Sequence, residues 1–357
     1  MAQRFDFAPG KSLLQHNALP VSIGWESTIK RADVAAMARP DRNTLYKKLV
    51  NAFSEHTLVG EKVVLYFGFS GLPASEKLAN KASVELALSS LQPPCSSFRL
   101  AYPLAVYDQN ELKQFDSSTS ILTAVFAQDQ RIFFLFSSVR AFNERVPIDR
   151  GDFEQIDKDR LADYSELIGV RAIRRQCFDY VVYDIERDLV ELRIDCPDGM
   201  PQVQKISAMH ALIAAFNALS IFSSGWSPFN DNPYNFHSLM ENLYKASSEG
   251  TVFQLGFTAS TDKTSSNNGA RLLRRKNFDL RKDEFHIGGA EKVKDISVYT
   301  IGVEWQAEAG LSNPILIVPG TAKMLYSPPI TFPELYIRGC ANSAQYEMLT
   351  TKIDKYR

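Results

Sequence analysis

The densest set of groups able to bind an anion lies in the run Lys263 to Lys282, KTSSNNGARLLRRKNFDLRK. It carries Lys263, Arg271, Arg274, Arg275, Lys276, Arg281 and Lys282 against one acid, Asp279, a net of +6. Residues 166 to 262 hold seven basic and twelve acidic side chains, a net of −5. The near-neutral total of −1 therefore conceals segregated charge. An arginine fork grips a phosphate through two parallel hydrogen bonds, which a lysine ammonium cannot match. Asn267 and Asn268 are of the type that caps helices, so a helix is expected from Gly269, with Arg271 and Arg274 or Arg275 on one face. N–H groups left open at its start would add to the anion site. The competing reading is a solvated run that pairs with the acidic stretch upstream or with an acidic partner protein.

A second constellation is Asp184 or Asp188 followed by Glu191-Leu192-Arg193. Two carboxylates on adjacent strands can hold Mg²⁺ while a neighbouring cation orients the attacking water, which is metal-dependent nuclease chemistry. Arg193 stands where such chemistry uses lysine, and arginine stays protonated. Alternation along Leu189 to Cys196 puts Val190, Leu192, Ile194 and Cys196 on one face, so Glu191, Arg193 and Asp195 are expected to look towards solvent. Exposed carboxylates hold a hard cation poorly, so this hairpin is the alternative site, and neither a metal nor a cofactor is expected.

Other motifs fall short. Gly68-Phe69-Ser70-Gly71-Leu72 lacks the second small residue of a nucleophile elbow, and Asp262-Lys263-Thr264 puts a carboxylate where a P-loop needs glycine. His210, in the apolar stretch Ile206 to Phe222, reads as a hydrogen-bonded core residue. Trp226, Phe229, Tyr234 and Phe236 share a Pro- and Asn-rich loop and are expected to cover a core edge rather than stack bases.

The elements that must carry these groups show in the periodicity. Helical spacing appears at Leu45 to Phe53, along the Ala- and Leu-rich stretch from Pro73 to Leu91, through the apolar stretch 206 to 222, and at 237 to 246 and 344 to 353. Strands are expected at Lys62 to Ser70, Phe98 to Tyr107, Ile121 to Phe126, Ile132 to Val139, Phe178 to Ile185, Leu189 to Cys196, Val252 to Phe257, Val298 to Trp305, Pro314 to Val318 and Leu335 to Arg338. The fold class is therefore α/β or α+β, with a hairpin packed on the apolar helix. A chain of 357 residues exceeds what one core usually serves. Between residues 144 and 166 twelve of twenty-three residues are charged, which suggests an α/β domain over 1–147, a charged linker or surface helix over 148–168, and an α+β domain over 169–357.

Composition narrows the function classes. The chain is 45% hydrophobic and 23% charged, so it folds, and it lacks the uniformly basic coat of a histone-like protein. Cysteines at 95, 177, 196 and 340 are too dispersed for a zinc knuckle, and the absence of an apolar leader fits a reducing cytoplasm. No apolar run reaches the roughly 20 residues of a membrane span. The resulting expectation is a non-catalytic nucleic-acid-binding or sensing subunit of an intracellular assembly, contacting phosphates through 263–282. The alternatives are a metal-dependent nuclease using the hairpin carboxylates and an interaction scaffold, or homo-oligomer, whose basic loop meets an acidic surface.

Overall fold

The computed structural model describes residues 7–69, 72–116, 118–149, 160, 163–197, 200–222, 226–260, 269–293 and 295–357. Three helices come first: α1 (Phe7–His16), α2 (Trp25–Met37) and α3 (Arg42–Val59). β1 (Lys62–Gly68) and α4 (Ala74–Ser90) follow, then two short helices, α5 (Ser97–Ala101) and α6 (Gln109–Leu112). β2 (Ser120–Gln128), β3 (Arg131–Pro147), β4 (Ile168–Asp184) and β5 (Leu189–Asp195) form a meander. Next come α7 (Gln202–Asn217), α8 (His237–Lys245), β6 (Thr251–Ser260), β7 (Gly269–Arg274), α9 (Glu284–Ala290) and β8 (Asp295–Glu304). β9 (Ile315–Val318), α10 (Ala322–Leu325), β10 (Leu335–Arg338) and α11 (Ser343–Tyr356) end the chain.

The fold is α+β. Among the described residues the strands form one sheet in the order β2-β3-β4-β5-β1-β10-β9-β8-β6-β7, antiparallel at every pairing. β1 is the join: Val63 pairs with Ile194 of β5 on one side and Tyr336 of β10 on the other. All seven residues of β1 (KVVLYFG) are buried, because both edges are paired and both faces are covered. The boundary expected at 148–168 lies mostly outside the described residues. The strands that flank it, β3 and β4, pair along their length from Arg131–Asp184 to Pro147–Ile168.

Two cores sandwich the first half of the sheet. On one face Val63, Leu65, Phe67, Val190, Leu192 and Ile194 pack against Val84 and Ala87 of α4 and against Ala208, Leu212 and Phe216 of α7. The hairpin β4–β5 therefore does rest on the apolar helix. On the other face Val64, Tyr66, Phe178 and Tyr180 meet Phe53 of α3, Leu239 and Leu243 of α8, and Tyr346, Leu349 and Ile353 of α11. Each such side chain, fully buried, contributes about 1.5 to 3 kcal/mol of transfer free energy. The aromatic loop covers a core edge: Trp226 lies 5.1 Å from Phe69, Phe229 5.1 Å from Phe67, and Phe236 5.6 Å from Tyr66.

Three local expectations are corrected. Residues 98–107 are not a strand, because Ser96 accepts a hydrogen bond from Arg99 N–H and starts α5 instead. Residues 269–274 are strand β7 rather than a helix, held by pairing Arg271 to Phe257 and Leu273 to Leu255. His210 stands on the solvent side of α7, whose inward face is Ala208, Leu212 and Phe216.

Candidate functional site

The hairpin carboxylates are buried, contrary to the expected solvent-facing placement. Glu191 is 0% exposed, Arg193 1% and Asp184 2%, because α3 and α11 cover the face opposite α7. Glu191 accepts from Arg193 Nε at 2.8 Å, from Arg187 at 2.9 Å and from the Tyr346 hydroxyl at 2.8 Å. Burial pushes its carboxyl up, but Arg193, Arg187 and Arg131 outweigh this and hold it below the ordinary carboxylate range. Asp184 is engaged by Arg131 at 2.6 Å, and Arg131 also binds Glu347 of α11. Arg187 reaches Asp354 of α11 at 2.8 Å, and the Arg193 guanidinium lies 4.0 Å from the Tyr346 ring centre. The constellation is an ion-pair network fastening the C-terminal helix to the sheet. Its oxygens are spent on arginines, and no cluster of His, Cys, Asp or Glu able to hold a metal occurs among the described residues.

The basic run divides into three. Lys263, with the capping candidates Asn267 and Asn268, lies outside the described residues, as do Ser70 and Gly71 of the elbow-like turn. Arg281 is internal. Its guanidinium chelates Asp279 through Nε at 2.9 Å and Nη2 at 2.8 Å, and it donates to the carbonyls of Leu243, Ala246, Glu249 and Gly250. It thus caps the carbonyl end of α8 and the turn into β6. Asp279 is pushed up by burial and pulled further down by Arg281, ending below its usual range.

The remaining five are exposed: Arg271 and Arg274 on β7, Arg275 and Lys276 just after it, and Lys282 at the end of the turn Leu280–Lys282. β7 is the last strand of the sheet as described, so its side chains stand at the rim. Arg275 has one distant carboxylate, Asp283 at 3.8 Å, lies 4.1 Å from the Phe278 ring centre and keeps 60% of its side chain in solvent. Arg274 Nε donates to the neutral Gln254 at 3.0 Å. Among the described residues Arg271, Arg274, Lys276 and Lys282 have no carboxylate within ion-pair distance.

Beside these cations a groove of about 750 Å³ opens between the β6–β7 ribbon and α9. Pairing register puts Phe257 opposite Arg271, and Leu273, two residues along β7, shares that face, so the ribbon gives the groove an apolar floor flanked by Arg271. Leu280, Ile296 and His286 close it from below. His286 Nε2 and the Tyr244 hydroxyl are hydrogen-bonded at 2.9 Å, and the His286 ring lies 5.1 Å from Phe257. Burial pulls the His286 imidazole below its usual value and the nearby Asp283 only partly restores it. Asp283 caps α9 by accepting from His286 N–H at 3.0 Å. The groove carries both signs: Arg271, Arg274 and Arg275 line it on and just after β7, while Asp283, Glu284, Glu291 and Lys292 line it on and around α9. Phe285 also lines it and is 83% exposed, the most exposed aromatic side chain among the described residues.

Sequence reasoning found the arginines and missed the groove. Phe257 of β6, Tyr244 of α8 and the Phe285–His286 pair of α9 come from three elements that the sequence does not place side by side. The one local signal was Phe285, an aromatic between Glu284 and His286 in an otherwise polar, Gly-bearing stretch. No protein-family model matches the chain, and no curated protein matches it either. No helix is long and apolar enough to cross a membrane among the described residues.

Proposed function

We propose that the protein is a non-catalytic nucleic-acid-binding or sensing subunit, contacting phosphates through the rim formed by Arg271, Arg274, Arg275, Lys276 and Lys282. The observation that supports this most is the exposure of these cations on and near an edge strand, where among the described residues only Arg275 has a carboxylate within ion-pair distance. A structural arginine is normally spent as Arg281 is, on carboxylates and carbonyls. Cations left open at the mouth of a groove are placed to meet an external anion, and guanidinium forks suit phosphate. Four free cysteines support work in a reducing compartment such as the cytoplasm. The buried, arginine-saturated hairpin favours binding over metal-dependent cleavage.

The test is a titration of labelled DNA and RNA at low salt with the native protein and with a variant carrying Arg271→Ala, Arg274→Ala and Arg275→Ala. The native chain is expected to bind with little sequence preference. The variant is expected to bind at least about 10-fold more weakly with an unchanged thermal transition, since exposed positions change stability by only about 0.5 kcal/mol each. Binding of equal strength in the variant would refute the rim as the contact surface.

A further inference from the structure

We infer that the groove binds single-stranded nucleic acid, with one unstacked base in the groove against Phe285 and the flanking phosphates on Arg271 and Arg275. This rests on the reading of the rim as a phosphate contact and adds which form of nucleic acid it takes. Three features carry it. The first is the recess itself: about 750 Å³ with Phe257 and Leu273 on its floor is large enough for a flat heterocycle. In a duplex the base faces are already stacked and paired, so only an extruded or single-stranded base can enter.

The second is Phe285. An 83% exposed phenyl ring at the groove leaves apolar surface in water and offers a flat π face, which every base can stack on irrespective of sequence. Phe278, already covered by the Arg275 guanidinium at 4.1 Å, shows the same pairing of flat cation and ring at the rim.

The third is the uneven charge of the groove, with three arginines on the ribbon side against three acids and Lys292 on and around α9. A nucleotide holds its phosphate and its base apart by a sugar, so the anion can meet the arginines while amino groups of the base face Glu284 and Glu291. An acidic peptide distributes its carboxylates on both sides of its backbone and would meet those same acids with repulsion. The groove therefore favours nucleic acid over an acidic protein segment.

The experiment is fluorescence anisotropy with a mixed-sequence 20-nucleotide strand, as DNA and as RNA, with the matching DNA duplex and with poly-glutamate of equal charge. The native protein is compared with Phe285→Ala and Phe285→Leu. The single strand is expected to bind at least about 10-fold more tightly than the duplex. Phe285→Ala is expected to weaken single-strand binding about 10-fold, the order found for one stacked base. Phe285→Leu, which keeps apolar area and loses the π face, is expected to be nearly as weak, and both variants should unfold at the native temperature. Duplex bound as tightly as single strand, with both variants unaffected, overturns this inference and leaves the phosphate-binding rim standing. Poly-glutamate bound more tightly than any nucleic acid, or no nucleic acid bound at all, overturns the inference and the proposed function together.

Discussion

Arg281 and Arg274 are seven residues apart and indistinguishable in composition, yet one is a structural clamp and the other stands in solvent. The difference is their acceptors. Arg281 has Asp279 and four carbonyls around it, while Arg274 has a glutamine amide. We expect Arg281→Ala to destabilise the fold by about 3 kcal/mol or more, because Asp279 would be left without its partner and the carbonyls at the end of α8 without a donor. Arg274→Ala should stay within about 0.5 kcal/mol of the native chain. Urea unfolding of the two variants checks this, and equal midpoints would show that the clamp carries no stability. The sequence shows seven cations and one acid in this run but cannot rank them, because the carbonyls that claim Arg281 belong to residues more than thirty positions upstream.

At the scale of elements, amphipathic and apolar runs were legible and the exposure of a strand face was not. Val190, Leu192 and Ile194 mark one buried face of β5, as read from alternation alone. Glu191 and Arg193 on the other face look like a solvated surface until α3 and α11, the latter folded from the last residues of the chain, cover them. The Leu272-Leu273 pair is equally ambiguous: adjacent leucines suit a helix facing the body and also a strand with one side chain on each face. β6 decides the matter by offering an unpaired edge to which β7 adds. The Glu191 network carries a pH prediction. Its carboxyl is held below the ordinary value of 4.5 in the folded chain, so the unfolded chain takes up the proton first as pH falls. The stabilisation from this group is fully present above that value and is lost as pH falls through the lower folded one. Glu191→Gln should therefore lower stability at neutral pH by about 3 to 5 kcal/mol, leaving the buried Arg193 without the carboxylate it pairs with, while Arg187 keeps Asp184 and Asp354. It should also flatten the acid limb of a plot of melting temperature against pH. A variant that melts with the native profile from pH 3 to 7 would mean that the network is not coupled to folding.

For the whole molecule, the antiparallel sheet brings its edge strand, the 278–293 segment and the end of α8 together at one rim, where five exposed cations stand within twelve residues of an almost neutral chain. Net charge concealed this arrangement; the contrast between residues 166–262 and 263–282 disclosed it. What the sequence could not disclose is the groove, since its walls are joined only when β6 pairs with both β7 and β8. The central claim is that this rim contacts phosphates, and the most direct measurement is the salt dependence of binding to a single strand. Each phosphate neutralised contributes about −0.7 to the slope of log K against log salt, so contacts from Arg271, Arg274 and Arg275 give about −2 and the two lysines can steepen it further. We predict a native slope of about −2 to −3.5 that flattens by about 2 in the variant lacking the three arginines. A native slope near zero, or one that the variant leaves unchanged, would contradict the account.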